Sequence, residues 1–195
     1  MPRGRPRQFD LKQALEAAML VFWSEGYEGA SCDRLLDAMD INSGSMYSAF
    51  GDKKALYSQA LDHYAEAVLG GVEATVNAPG SPLAAIKKFL RNAENFAKQE
   101  DCKGCLITNT LIEFGGGEDD ELAEKARAIM THMIRVFEKR LKEAKSLGEL
   151  DESADPKALA SFLVSSVQGL SVLGRSGVDA SVIRHTVRTI VAVLE

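Results

Sequence analysis

Residues 31–54, SCDRLLDAMDINSGSMYSAFGDKK, decide the fold. Their punctuation divides them into two short helices and the start of a third. Ser31 can cap a helix over Cys32–Met39, and Asp40-Ile41 is a tight connection. Asn42 opens a second short helix with Gly44 in its first turn and Tyr47 and Phe50 near its end. Gly51-Asp52 then turns the chain, and Lys53-Lys54 start a longer helix. Two short helices joined by so brief a connector have the outline of a helix-turn-helix, whose second helix lies in a DNA major groove. A helical hairpin that merely packs shares that outline, so function rests on the side chains of the second helix.

Upstream, Phe9 stands at the staple position, Asp10 is the N-cap, and Gln13 completes a capping-box-like pair. Leu11, Leu15, Ala18, Met19, Phe22 and Trp23 follow at helical spacing until Gly26 and Gly29. Downstream, Asp52 caps a helix to about residue 76, a cap worth about 1 kcal/mol over Ala. NAPGSP at 77–82 separates it from a helix over about 83–100, with Ser81 as cap and Pro82 in the first turn. After DCKG come helices over about 105–114 and, past GGGED, about 119–146. Asp155-Pro156 and Asp179 start the last two. No segment reads as a strand. The expectation is an all-α chain of about nine helices: a basic N-terminal arm over 1–8, a three-helix helix-turn-helix domain over 9–54, and a C-terminal helical domain over 55–195.

The 195 residues are 46% hydrophobic and 26% charged, an ordinary globular balance. The net charge of −5 is unusual for a DNA binder, but Arg3, Arg5 and Arg7 form a basic arm without an acid, and local patches decide binding. No stretch reads as the roughly 20 apolar residues of a membrane helix, and none follows the arginines as a signal peptide would. A cytoplasmic protein with no membrane partner, and with Cys32, Cys102 and Cys105 reduced, is expected.

FDLKQALEAAMLVFWSEGYEGASCDRLLDAMDINSGSMYSAFGDKKALYSQAL, residues 9–61, resembles the DNA-binding region of the TetR family of bacterial one-component regulators. GYEG at 26–29, NSGSMYSAF at 42–50 and DKKALY at 52–57 carry the resemblance. GCL at 104–106 and SSVQGLSVLGRSG at 165–177 resemble the family's ligand-binding and dimerisation domain. The resemblance implies a homodimeric transcriptional repressor, bound to a near-palindromic double-stranded operator and released by a small-molecule effector.

Each residue of the DNA-binding region then has an expected role. Asn42, Ser43, Ser45 and Ser48 are short polar groups for base edges, and Gly44 lets a phosphate approach closely. The resemblance gives the Tyr47 hydroxyl a phosphate contact. Lys53 joins a helix N-terminus to an ammonium, which favours another. Ser31 can cap its helix and touch the DNA backbone together, while Ile41, Met46 and Phe50 pack. The proposed reading helix has no Arg, Lys or Gln, so serines, the Ala49 methyl and groove shape must discriminate sequence. Arg3, Arg5 and Arg7 suit a narrow A/T-rich minor groove, although a fraying terminus would have the same composition.

Phe89, Phe96, Cys105, Asn109, Glu113, His132, Met133 and Phe137 are the candidate effector contacts, on helices that would surround a pocket in the family. Residues of these types at helical spacing are more often packing. Cys102 and Cys105 are the redox candidates: Cys105 falls at a helix start and Lys103 is near in sequence, which would favour a thiolate. A thiol sensor is therefore the alternative reading. A thiol-disulfide oxidoreductase would need a strand and a βαβ context that the sequence lacks. No Ser-His-acid set, metal-ligand spacing or phosphate-cradling loop is present, so no catalysis, cofactor or metal is expected. The last two helices carry Phe162, Leu163, Val167, Leu170 and Leu173, then Val182, Val187, Ile190, Val191 and Leu194, with small residues between. They suit a dimer interface.

Overall fold

The computed structural model describes residues 9–116 and 120–195. Among these residues every regular element is a helix: α1 (Leu11–Gly29), α2 (Cys32–Met39), α3 (Ser43–Phe50), α4 (Lys53–Val76), α5 (Pro82–Ala97), α6 (Leu106–Phe114), α7 (Glu121–Ser146), α8 (Pro156–Arg175) and α9 (Ala180–Ala192). The all-α expectation holds. The chain forms two compact units that divide after Ala65, inside α4. The division thus lies later than residue 54, because the first turns of α4 bury Leu56, Tyr57, Ala60, Leu61 and Tyr64.

In the first unit, Asp10 accepts from the Lys12 and Gln13 amides, so α1 starts where its cap dictates. Gly26, at φ 78°, breaks the helical path before Gly29. α1 contributes Ala18 and Phe22 to the core, α2 Leu35 and Met39, α3 Met46 and Phe50. Tyr57 of α4 meets Phe22 edge-on at 4.8 Å and Tyr27 at 5.3 Å. Fully burying a side chain the size of Phe22 contributes about 1.5–3 kcal/mol, so a few rings stabilise much of this small core.

The second unit packs α7 against α5, α6 and α8, with α9 against α5 and α8. Ile86, Leu90, Leu106, Phe137, Leu141 and Leu163 are each almost wholly buried. Arg140 of α7 is buried too; its guanidinium donates to Glu143 at 2.6 Å and to the Ala78 and Gly80 carbonyls at 2.7 and 3.2 Å. The Glu149 carboxylate accepts from the Ser81 hydroxyl at 2.8 Å and the Leu83 amide at 2.9 Å. Together they hold the turn before α5 that NAPGSP only punctuates.

One expectation needs correction. α8 is, by length and apolar composition, long enough to cross a membrane, and it is the one such helix among the described residues. Ser, Gly and Gln disguise it, since they dilute the apolar run without adding charge. Only 28% of its apolar window is buried within the chain.

Candidate nucleic-acid interface

Ser31 accepts from the Arg34 amide at 3.1 Å and begins α2. The Arg34 side chain pairs with Glu25 at 3.1 Å, tying α2 to α1. Asp40 closes α2 in the left-handed region, at φ 52°, with its amide reaching the Asp37 carbonyl. Asp accepts this conformation more readily than most side chains, which makes a connector of two residues possible. Asn42 then caps α3, its side chain accepting from the Ser45 amide at 2.8 Å. Gly51, at φ 84°, ends α3, and Asp52 accepts from the Ala55 amide at 2.8 Å to begin α4. Caps of this kind contribute about 1 kcal/mol each.

α3 is therefore held in place by its ends and by two buried side chains, Met46 and Phe50. Its other face is open: Ser43, Gly44, Tyr47 and Ser48 are exposed, Tyr47 by 55%. These positions are one turn apart in two pairs, so they share a face. Ser45 and Ala49 are half-buried beside it, and Ser45 lines a separate shallow groove with Phe9, Leu36, Asp37 and Ile41. The structure thus brings together four of the residues expected to meet DNA on α3 and sets Ser45 to the side.

Gly44 lies in the first turn of α3. A Cβ there would meet only the Asn42 side chain, at 3.4 Å. Glycine in a helix costs about 0.5–1 kcal/mol relative to Ala. The capping Asn42 Oδ1 sits close to where that Cβ would be, and outward from it the face is open to a ligand backbone.

Lys53 sits in the first turn of α4, with its ammonium 4.5 Å from the centroid of the Tyr27 ring. Burial first, then the Glu28 and Asp52 carboxylates, push the Tyr27 phenol above its ordinary range. The ring face sits under the ammonium in cation–π geometry. Sequence reading passed over Tyr27, although it lies inside GYEG; no spacing rule links residue 27 to residue 53. Arg3, Arg5 and Arg7 lie outside the described residues.

The effector candidates differ widely in exposure. Met133 and Phe137 are buried, and Phe137 meets Phe89 edge-on at 5.1 Å as core packing. Glu113 and His132 are exposed, and His132 lies 2.7 Å from Glu73. Asn109 has its side-chain nitrogen buried without a partner, and Phe96 is half-buried. Cys102 and Cys105 are free thiols, each 8% exposed. Cys105 occupies the N-cap of α6 without a side-chain bond, while Lys103 lies 3.9 Å from Asp101. Among the described residues no cluster of three metal-ligating side chains forms.

A family model described as bacterial regulatory proteins, tetR family, matches residues 14–60, and one described as the tetracyclin repressor-like C-terminal domain matches 82–190. The chain belongs to the TetR family of bacterial regulatory proteins. It is 32% identical to the uncharacterized HTH-type transcriptional regulator YezE of Bacillus subtilis (strain 168), over 98% of this chain and 100% of that protein. It is 28% identical to the HTH-type transcriptional repressor ComR of Escherichia coli (strain K12), over 90% and 84%. The TetR family transcriptional regulator CifR, solved as a cysteine mutant complexed with 26bp double-strand operator DNA, superposes with a TM-score of 0.85 at 31% identity, covering 97% of this chain and 98% of CifR. The capped α3, with one face open, lies within the matched DNA-binding region of the family.

Proposed function

We propose that this chain is a homodimeric, sequence-specific DNA-binding repressor whose α3 enters the major groove with the face formed by Ser43, Gly44, Tyr47 and Ser48. The observation that carries the reading is the open face of the capped α3, with Gly44 in its first turn leaving the backbone accessible beside Ser43, Tyr47 and Ser48. CifR, at 31% identity over nearly the whole chain, is named as bound to double-strand operator DNA, and ComR is named a repressor. Ser43 and Ser48 would face base edges, with Asn42 and Ser45 at the margin. Tyr47, Lys53 and Ser31 would contact phosphates. Arg3, Arg5 and Arg7 would extend the contact into the minor groove.

The dimer would form through α8 and α9, on which Phe162, Val172, Val182 and Val193 are between 40% and 51% exposed. Covering these side chains removes apolar surface from water, and twofold symmetry sets two recognition helices about 34–36 Å apart, one duplex turn. An effector held within the C-terminal unit would bias a pre-existing equilibrium between DNA-competent and incompetent arrangements. Burial of both Cys102 and Cys105 weighs against the thiol-sensor reading, because oxidants attack accessible thiolates. A regulator of chromosomal DNA works in the cytoplasm, and this reading assigns it no enzymatic activity.

The test is binding of the purified, reduced protein to a labelled duplex from the intergenic DNA beside its gene, against a scrambled duplex at about 150 mM salt, where non-specific binding is suppressed. Preference for the native duplex at two subunits per site is expected. Removing residues 2–7 should weaken that binding and flatten its salt dependence. Equal, weak binding to both duplexes would overturn the assignment of α3.

A further inference from the structure

Within the C-terminal unit, an open groove of about 350 Å³ runs between α5 and α9. Its floor is apolar, formed by Val187, Val191 and Ala192. Its walls carry Arg91 from α5 and Arg184 and Arg188 from α9, all three exposed. Two carboxylates also line it, and both are engaged: Glu94 with Lys98 at 2.8 Å and Glu195 with Lys87 at 3.3 Å. Among the described residues, none of the three guanidinium groups forms an ion pair.

The lining holds three arginines against two glutamates, each glutamate engaged by a lysine, with Asp179 the further carboxylate that Arg184 faces, on a chain whose net charge is −5. Arg184 and Arg188 lie four residues apart on one helix face, where like charges weaken a helix rather than support it. Packing does not call for them, since both are exposed. At about 100° per residue, Val191 lies roughly half a turn round α9 from Val182, and Arg184 half a turn from Val193. The groove therefore faces away from the apolar surface of α9 that would be covered in a dimer.

We propose that the α5–α9 groove docks a short amphipathic helix of a partner protein, apolar along one side and flanked by Asp or Glu. A trough between two packed helices has the form that receives a third, with apolar anchors every three or four residues. Val187, Val191 and Ala192 supply the apolar strip. Arg91, Arg184 and Arg188 supply forked donors on both banks, which match carboxylates bidentately. Nucleic-acid phosphates would use the same arginines but have no use for the floor. Val191 therefore separates the two kinds of ligand.

The probe is a fluorescein-labelled peptide of about 15 residues, long enough to nucleate a helix in the groove, with Leu on one face and Glu beside it. Anisotropy with the full-length protein should show saturable binding that weakens with salt. The Arg184→Glu and Arg188→Glu double variant should weaken it at least tenfold or so, the Arg91→Glu variant independently by several-fold, and Val191→Asn by about fivefold. Unfolding midpoints of the arginine variants and subunit mass should be unchanged, as befits exposed positions, with at most a small loss of stability for the half-buried Val191→Asn. Absence of saturable binding, or binding indifferent to the arginine variants, overturns the proposal. So does loss in the arginine variants without loss in Val191→Asn, or equal competition by a random duplex, since either outcome assigns the groove to charge alone.

Discussion

The two units of this regulator are held by bonds of very different reach. In the DNA-binding unit the caps on α1, α2, α3 and α4 each join residues two or three apart: Asp10 to Lys12 and Gln13, Ser31 to Arg34, Asn42 to Ser45, Asp52 to Ala55. In the C-terminal unit the side-chain bonds that set the architecture join residues about 60 or more apart: Glu149 to Ser81, Arg140 to Ala78, Thr108 to Gln168. A short-range bond positions one helix end without reference to the rest of the chain. A long-range bond exists only once the helices have packed. Both units cap their helices locally, the second through Ser81, Asp120, Asp155 and Asp179, and the second adds side-chain bonds that exist only after packing.

The largest test of that contrast is Phe22→Ala. Phe22 is fully buried and central to the aromatic cluster, so truncation should cost about 3–5 kcal/mol in urea unfolding and abolish operator binding. A loss below about 1 kcal/mol would mean that the caps, not the core, hold the unit. Next is Arg140→Met, which leaves the Ala78 and Gly80 carbonyls without their donor and should cost about 2–3 kcal/mol. Native stability in that variant would show that the turn is set locally after all.

Gly44→Leu sharpens the comparison by separating fold from function. Stability should change by less than about 1 kcal/mol, because the helical propensity gained offsets a mild crowding of the capping Asn42 Oδ1 on an exposed face. Operator affinity should fall by about 2 kcal/mol, roughly 30-fold, as the backbone is kept away from DNA. If both quantities moved together, the glycine would be structural. Smaller still is Ser31→Ala, expected to cost about 1 kcal/mol, with Ser31→Asp restoring it.

The smallest effect is in acid. Hydrogen bonds from the Ser181 side chain and amide hold the Asp179 carboxyl below its ordinary range at the start of α9. A carboxylate lowered in the folded state stabilises above its unfolded pKa, and that contribution is lost as pH falls through the folded value. Helicity of α9 should therefore fray slightly on acidification, and Asp179→Asn should remove that dependence while keeping the cap. Circular dichroism against pH reads both, and identical acid profiles would sink the assignment.

Where residues act through their neighbours in sequence, reading them was enough. Ser31, Asn42 and Asp52 cap the helices they were expected to cap, and Met46 and Phe50 are buried as their spacing required. Reading said less where position in space decides. Ser45 has the same chemistry as Ser43, but the turn of α3 sets it half-buried. Glu113 and His132 stood on the right helices for a pocket and are exposed. Tyr27 beneath Lys53, and Arg140 across the turn before α5, have no periodic or motif signature, because each partnership spans a packed interface.

The sequence by itself determined the all-helical class, the boundaries of the capped helices and the helix-turn-helix outline, because those depend on hydrogen bonds and apolar spacing over one or two turns. Only the tertiary structure decided which face of α3 is open, that the DNA-binding unit extends into α4 as far as Ala65, that both redox candidates are buried, and that three exposed arginines meet over an apolar groove. These are properties of surfaces made by helices distant in the chain, and such a surface exists only once the helices have packed.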